Sequence, residues 1–271
     1  MMTAWVFDVD GVITNIEQEK ITEPIILEFL IKTLEKGEPI ALNTGRGMDW
    51  VEEIVLNPLK SKISNQEILH NFFVVAESGG IRATFDRNGS LKVLFNDSFK
   101  IPPELDRKVR KLVAEKYSRS MRYEDKKTMS TTKIKEGTSF EKFHEDQKMI
   151  TKDLQEIIDS SQLKDRLKVD TSTIGTNIMF RSLGKDRGAE IILEWLSERK
   201  IKPQRFVAFG DSFKSDVPMA EELHSQGFSV DFVYVGEENI DTSKYPFAIK
   251  QTQSKFDNGT LEFLKGLTFS S

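Results

Sequence analysis

The chain has 271 residues, of which 38% are hydrophobic and 30% charged, which is enough to build one large domain or two smaller ones. A net charge of −4 and a pI near 5.6 argue against a dedicated binder of nucleic acids or anionic membranes. The absence of cysteine excludes disulfides, zinc–thiolate sites and cysteine nucleophiles. The sequence shows neither a cleavable leader nor an apolar run that could span a bilayer, so we expect a cytoplasmic protein.

The first predicted strand ends in two acidic residues. Residues 4–7 are apolar without polar alternation, which predicts a strand buried on both faces, as in a parallel sheet. Asp8, Asp10 and Gly11 follow it, at the sheet edge where open α/β folds bind ligands. Two nearby carboxylates repel each other unless a cation or a proton lies between them. The pattern indicates a metal or acid–base site, although Asp and Gly are also ordinary turn residues.

The second strand ends in small and polar residues. Residues 39–42 form a short apolar strand, and 43–47 lead into a helix predicted over 48–56. Thr44 and Gly45 therefore lie between a strand end and a helix start, where backbone N–H groups and the helix dipole favour an anion. An ordinary turn is the alternative, and the two aspartates at the same edge favour the phosphate interpretation.

Other strands and helices of the same alternating type precede and follow a middle segment. A helix with Thr22 as its predicted N-cap ends at Gly37. The remaining elements predicted in this α/β part are strand 72–76, a hairpin of strands 81–85 and 90–95, a helix starting near residue 184, strand 206–209, helix 217–223 and strand 232–236.

The middle of the chain has a different pattern. It predicts helix 103–117, strand 126–134, helix 140–158 and strands 167–173 and 176–181. This α+β order differs from the alternating β/α units on either side, so we interpret it as an inserted domain. The predicted division is a core of residues 1–96 and 184–271, interrupted by an insertion of residues 97–183.

A third strand end adds Asp211 and Asp216, and a helix start adds Lys185 and Arg187. Several carboxylates at one edge require a hard divalent cation, and ligands that are all oxygen suit Mg²⁺. The candidate metal ligands are Asp8, Asp10, Asp211 and Asp216. A cation, a hydroxyl, backbone N–H groups and a Lys or Arg side chain are what phosphoryl transfer requires. In such a site one carboxylate can attack phosphorus and a second can carry the proton of the leaving group.

The order of these motifs resembles the haloacid dehalogenase superfamily, in particular the Cof-type phosphatases with a C2 cap inserted between the second and third motifs. The resemblance covers nearly the whole chain and implies a doubly wound parallel-sheet core with an α+β cap. It implies Asp8 as the nucleophile that forms a phosphoaspartate. It implies Asp10 as general acid and then base, its backbone carbonyl binding the metal, and Thr44 as the residue that holds the phosphoryl group. Asp211 is the implied metal ligand, supported by Asp216.

Two motifs depart from the family pattern. Four residues separate Asp211 from Asp216, where Cof-type proteins usually have three. The third motif is usually Lys-Gly at a helix start. Its spacing from the neighbouring strands favours Arg187 followed by Gly188, whereas the residue type favours Lys185. Both cations remain candidates for binding phosphate, together with Thr44 and Gly45.

The inserted segment contains one short resemblance of its own. Glu124 and Lys126 resemble part of a cap strand in trehalose-phosphate phosphatases, where a Glu and a Lys meet sugar hydroxyls. A solvated run of charges is the alternative. The cap as a whole is expected to close over the substrate and to determine specificity.

The sequence thus predicts an Mg²⁺-dependent phosphatase for a small phosphorylated metabolite, preferably a sugar phosphate. A phosphomutase could use the same residues and would return the phosphoryl group to a second hydroxyl. Two hypotheses without catalysis are a phospholigand-binding protein and an interaction protein whose acidic turns are purely structural. We expect neither nucleic acid nor membrane as a partner.

Overall fold

The computed structural model describes residues 2–268, and these fall into two compact units. The first unit extends to Leu94 and resumes at Gly184, and the second is Phe95–Leu183. None of the helices in residues 2–268 combines the length and the apolar content that crossing a bilayer requires. The second unit is an insertion within the chain of the first.

Strands and helices account for most of both units. Within the described residues the twelve strands are β1 Thr3–Phe7, β2 Ile40–Asn43, β3 Phe72–Ala76, β4 Ile81–Phe85, β5 Leu91–Phe95, β6 Met121–Glu124, β7 Ser130–Ile134, β8 Leu167–Thr171, β9 Gly175–Phe180, β10 Arg205–Gly210, β11 Ser229–Tyr234 and β12 Ala248–Gln251. The eight α-helices of the same residues are α1 Pro24–Glu35, α2 Met48–Val51, α3 Asn57–Lys62, α4 Pro103–Leu112, α5 Phe140–Asp159, α6 Lys185–Glu198, α7 Phe213–Ser225 and α8 Phe256–Thr268. Turns of π type join α2 to α3 at Glu52–Leu56 and extend α4 at Val113–Tyr117.

The first unit is built on one eight-stranded sheet. Its strand order is β12-β11-β10-β1-β2-β3-β4-β5, and the strands from β12 to β3 are parallel. Strand β4 runs antiparallel to β3, and β5 lies next to β4 at the edge of the sheet. Phe7 of β1 lies beside Leu42 of β2 and Phe209 of β10. The carboxyl ends of these three strands therefore lie side by side.

Strand β1 is buried on both faces of the sheet, as its apolar run predicts. Trp5 and Phe7 pack in one hydrophobic core, and Ala4 and Val6 pack in the other. Because successive strand residues point to opposite faces, a strand covered on both sides needs an unbroken apolar run. The predicted α/β fold with a mainly parallel sheet is confirmed.

The second unit has the predicted α+β character. Its four-stranded antiparallel sheet has the order β6-β7-β9-β8. Helices α4 and α5 contribute Val109, Phe143, Ile150 and Leu154 to a core that includes Ile178 of the sheet. Helix α5 begins after Ser139, whose Oγ accepts a hydrogen bond from the Lys142 backbone N–H at 3.3 Å.

Several element boundaries differ from the sequence prediction. The strand predicted over 126–134 begins only at Ser130, and a separate strand, β6, precedes it. The helical region predicted over 48–56 continues through the π turn into α3, whose first turn contains Pro58. Thr22 does not cap α1, since its hydroxyl donates to Asp257 Oδ2 at 3.0 Å instead.

Candidate active site

Three carboxylates meet at the carboxyl edge of the parallel sheet. Asp8 follows β1, Asp211 follows β10, and Asp216 lies in the first turn of α7. One carboxylate oxygen from each lies within 4.8 Å of the other two. Asp216 is fully buried and Asp8 is 8% exposed. A cluster of oxygen donors this compact suits a hard divalent cation such as Mg²⁺.

The side chain of Lys185 lies inside this cluster. Its Nζ is 2.5 Å from Asp8 Oδ1 and 3.1 Å from Asp216 Oδ1. The same Nζ donates to the backbone carbonyl of Asn43 at 2.5 Å, and Asn43 Nδ2 donates in return to the Lys185 carbonyl at 2.8 Å. A Cβ at Gly188 would lie 2.0 Å from Asn43 Oδ1, so only glycine allows α6 to approach β2 this closely. The ammonium group is thereby fixed beside Asp8.

Arg187, the other candidate cation of the third motif, is directed elsewhere. Its Nη1 lies 2.5 Å from Glu190 Oε2 and 3.4 Å from Glu194 Oε1, on the same helix. Residues two apart on a helix point to different sides of it, so α6 can present only one of the two cations to Asp8. The structure places Lys185 there, and the role that spacing assigned to Arg187 is not supported by its surroundings.

Burial sets the protonation of the cluster. It raises the pKa of Asp8 to about 7; Lys185 opposes this rise, and the charges of Asp216 and Asp10 add to it. Burial also raises the pKa of Asp211 to about 8, with the charges of Asp8 and Asp216 adding to the effect. Burial alone would lower the pKa of Lys185, but the charges of Asp216 and Asp8 outweigh it, so the pKa is raised. Without a divalent cation, the cluster therefore retains protons near neutral pH.

Two glycines allow the backbone to approach these aspartates. Gly11 has φ +70°, and a Cβ there would lie 2.6 Å from Asp211 Oδ2. A Cβ at Gly210 would lie 2.3 Å from the Cβ of Asp216. Asp216 Oδ2 accepts the backbone N–H of Ser212 at 3.0 Å, which fixes the turn between β10 and α7. Asp211 and Asp216 can thus occupy these positions only because Gly11 and Gly210 have no side chain.

The second motif follows β2 and is also buried. Thr44 is inaccessible to solvent, and its Oγ1 accepts the backbone N–H of Arg46 at 3.1 Å. The Thr44 backbone N–H donates to the carbonyl of Val75 at 2.9 Å, which ties the loop to the end of β3. Gly45 lies between these two anchor points, and its backbone can approach an anion without a side chain in the way.

Asp10 does not join the other carboxylates. Its two oxygens accept hydrogen bonds from Arg46 Nε at 3.0 and 2.8 Å, and Oδ1 accepts another from Arg46 Nη2 at 2.5 Å. The expected cluster of four carboxylates is thus a cluster of three, because the Asp10 side chain turns toward this guanidinium. No role was predicted for Arg46 from the sequence, although a cation directly after Thr44 and Gly45 was a visible signal.

The predicted cap residues lie close together in the second unit. Lys126 Nζ is 3.8 Å from Glu124 Oε1, and Lys133 Nζ is 3.5 Å from Glu124 Oε2. Both lysine side chains are almost fully buried, at 7% and 8% exposure. Lys133 could not be predicted from the sequence, because it is the pairing of β6 with β7 that brings it near Glu124.

Comparison with known proteins identifies the fold. Neither a known family nor a curated protein matches the sequence. Among solved structures, the trehalose-6-phosphate phosphatase C-terminal domain of C. albicans has a TM-score of 0.68 and 15% identity, covering 99% of this chain and 92% of that one. IMP-bound, N-terminally truncated IMP-nucleotidase of Plasmodium falciparum has a TM-score of 0.61 and 12% identity, covering 99% and 68%. The trehalose-6-phosphate phosphatase of Aspergillus fumigatus (crystal form 2) has a TM-score of 0.57 and 16% identity, covering 99% and 93%.

These identities are low, so the similarity concerns the fold. It extends over nearly the whole chain, including the inserted unit. At this level the fold that the resemblance implied is confirmed: the chain shares the fold of these trehalose-6-phosphate phosphatase and IMP-nucleotidase structures.

Proposed function

We propose that the protein is an Mg²⁺-dependent phosphatase that hydrolyses a small phosphorylated metabolite, with sugar phosphates as the preferred class. One observation carries the proposal. The buried Asp8 lies 2.5 Å from Lys185 and within 4.8 Å of two further carboxylates, at the ligand-binding edge of the sheet. A carboxylate beside a fixed ammonium group and a cation site is suited to attack a phosphorus atom.

The proposed reaction has two steps on Asp8. In the first, an oxygen of Asp8 attacks phosphorus in line, the bond to the ester oxygen breaks, and Asp10 gives its proton to that oxygen. In the second, Asp10 takes a proton from water, whose oxygen attacks the phosphoaspartate and releases inorganic phosphate. Asp8 and protonated Asp10 are thereby regenerated, so the same carboxyl group acts first as acid and then as base.

The neighbouring groups stabilise the transferred phosphoryl group. Lys185 offsets negative charge beside Asp8, and the Thr44 hydroxyl and the Gly45 backbone N–H are the proposed donors to phosphoryl oxygens. Asp216 has a supporting role, because it contacts Lys185 and accepts the Ser212 N–H. Burial strengthens each of these interactions, since water screens them little.

Asp8, Asp211 and the backbone carbonyl of Asp10 are the proposed Mg²⁺ ligands. The residues present fit this ion, because the cluster offers only oxygen donors and its carboxyl groups retain protons that a cation would displace. When bound, Mg²⁺ would supply positive charge to the phosphoryl oxygens. We also propose a cytoplasmic location for the protein.

We assign the choice of substrate to the second unit. Glu124, Lys126 and Lys133 form a group of one acceptor and two donors on neighbouring strands and the adjoining loop. Such groups recognise hydroxyls by paired hydrogen bonds. The similarity to trehalose-6-phosphate phosphatases supports a sugar phosphate, and the IMP-bound structure makes a nucleoside monophosphate the second candidate.

Phosphate release tests the proposal. The substrates would be a panel of sugar phosphates, IMP and p-nitrophenyl phosphate, each with Mg²⁺ and with EDTA. Asp8→Asn should abolish release, while the matched control Asp241→Asn, in a solvent-exposed loop, should retain it. Conversion of a sugar phosphate to its isomer without release would favour a mutase. No reaction with any substrate, by a folded protein that binds Mg²⁺, would refute the phosphatase proposal.

A further inference from the structure

The guanidinium group of Arg46 is enclosed between two carboxylates and an aromatic ring. It donates to both oxygens of Asp10, and its Nη2 also lies 2.9 Å from Glu19 Oε1. Its central carbon lies 4.2 Å from the centroid of the Trp50 ring. Only 6% of the Arg46 side chain is exposed, compared with 34% of Asp10 and 43% of Glu19. The cation is thus buried behind the carboxylate that it binds.

The backbone of Arg46 belongs to the phosphate-binding loop. Its N–H donates to Thr44 Oγ1 at 3.1 Å, and its carbonyl accepts the N–H of Glu77 at 2.9 Å. One residue therefore connects the proposed phosphate-binding hydroxyl with the proposed proton carrier.

We propose that Arg46 is the positioning residue for Asp10, an inference that rests on the phosphatase function proposed above. The Asp10 carboxylate is one-third exposed, so without a fixed partner water would compete for its oxygens and its orientation would vary. A planar guanidinium with two donors toward one carboxylate selects a single orientation, which an ammonium group does not. Trp50 and Glu19 fix the plane of that guanidinium in turn.

Arg46 takes no part in the proton transfer itself. Burial alone would lower its pKa, but the hydrogen bonds and charges of Asp10 and Glu19 outweigh burial and raise the pKa. The transferred proton moves from Asp10 to the ester oxygen as the phosphorus–oxygen bond breaks, and Arg46 stays protonated throughout. Its contribution should therefore depend on how much the leaving group needs that proton.

The dependence on the leaving group provides the test. A sugar alkoxide leaves only when protonated, whereas p-nitrophenolate leaves readily as an anion. Single-turnover rates of leaving-group release would be measured for both esters with the wild type, Arg46→Ala and Arg46→Lys. We expect a loss of roughly 100-fold with the sugar phosphate and under about 10-fold with the aryl ester, the size of a general-acid contribution. Arg46→Lys should resemble Arg46→Ala, because lysine lacks the paired donors.

Two further variants make the result interpretable. Glu19→Gln removes a charge from the partly exposed side of the guanidinium without emptying a buried position, and a loss of about 3-fold, confined to the sugar phosphate, is expected. Arg82→Ala is the matched control, because Arg82 lies at the surface near Glu194 and Glu198 and should not change either rate.

The possible outcomes distinguish the two proposals. An equal loss with both esters, or no loss in Arg46→Ala, would overturn the positioning role while leaving the phosphatase function intact. If the wild type releases phosphate from neither ester, the phosphatase proposal fails, and the role of Arg46 fails with it. A loss that is selective for the sugar phosphate in Arg46→Ala and Glu19→Gln supports the proposal.

Discussion

Gly11→Ala is expected to weaken both the fold and the metal site. Gly11 has φ +70°, where an L-residue is strained by about 1–2 kcal/mol. The new Cβ would lie 2.6 Å from Asp211 Oδ2 and 3.0 Å from Ile16 Cδ1, and overpacking of this kind adds about 1–3 kcal/mol. The expected loss of unfolding free energy is therefore about 2–5 kcal/mol. Because Asp211 must shift to relieve the contact, Mg²⁺ binding should weaken as well.

Gly37→Ala is the matched control for this substitution. Gly37 has φ +76°, close to that of Gly11, but a Cβ there would meet nothing within 4 Å. It should lose only the backbone contribution of about 1–2 kcal/mol and bind Mg²⁺ like the wild type. Urea unfolding with and without Mg²⁺, together with calorimetric titration of the metal, measures both effects. Equal stability losses and unchanged Mg²⁺ affinity in Gly11→Ala would refute the reasoning.

Three more predictions concern the charges of the cluster. Lys185→Gln should lower the turnover number about 100-fold or more, whereas Arg187→Gln should lower it less than about 2-fold, because of these two cations only Lys185 contacts Asp8. Steady-state phosphate release measures both variants, and equal losses would contradict this prediction. The metal-free protein should lose stability as the pH rises from about 4 to 8. The folded-state pKa values of Asp8 and Asp211, about 7 and about 8, exceed the unfolded value near 3.8, so the folded state binds more protons in this range. A urea midpoint that stays constant with pH would argue against this prediction. Saturating Mg²⁺ should abolish this trend above about pH 5, because the bound cation displaces the extra protons of the folded state. Titration in buffers of different ionisation enthalpy would detect these protons, and the absence of proton release at pH 7 would contradict the raised pKa values.

The central sheet could be predicted because the burial of its apolar strands allows few alternative arrangements. An apolar run such as Ala4–Phe7 can be buried only between two covered faces, and residues at the carboxyl ends of adjacent parallel strands must meet. The grouping of Asp8 with Asp211 follows from this rule alone. The edge strand β12 gave no comparable signal, since most of its residues are exposed and it has no buried face to require an apolar run.

The side-chain partners depended on contacts that sequence spacing does not contain. Lys185 and Arg187 are two residues apart, and the choice between them follows from the packing of Gly188 against Asn43, which is distant in the chain. The separation of Asp10 from the cluster of Asp8, Asp211 and Asp216 likewise depends on Arg46, and the sequence does not show whether that side chain binds a carboxylate or a phosphate. Local patterns gave the residue types of the site but not their pairing.

The close contact of α6 with β2 has a consequence for protein engineering. Asn43, Lys185 and Gly188 depend on one another. The Asn43 amide donates to the Lys185 carbonyl in α6, the Lys185 ammonium donates to the Asn43 carbonyl in β2, and Gly188 leaves the space that this close approach requires. Transplanting the lysine alone into another scaffold would leave its terminal nitrogen without a defined position. A designer who wishes to move this cation between frameworks, or to replace it with arginine, must transfer or redesign all three residues together.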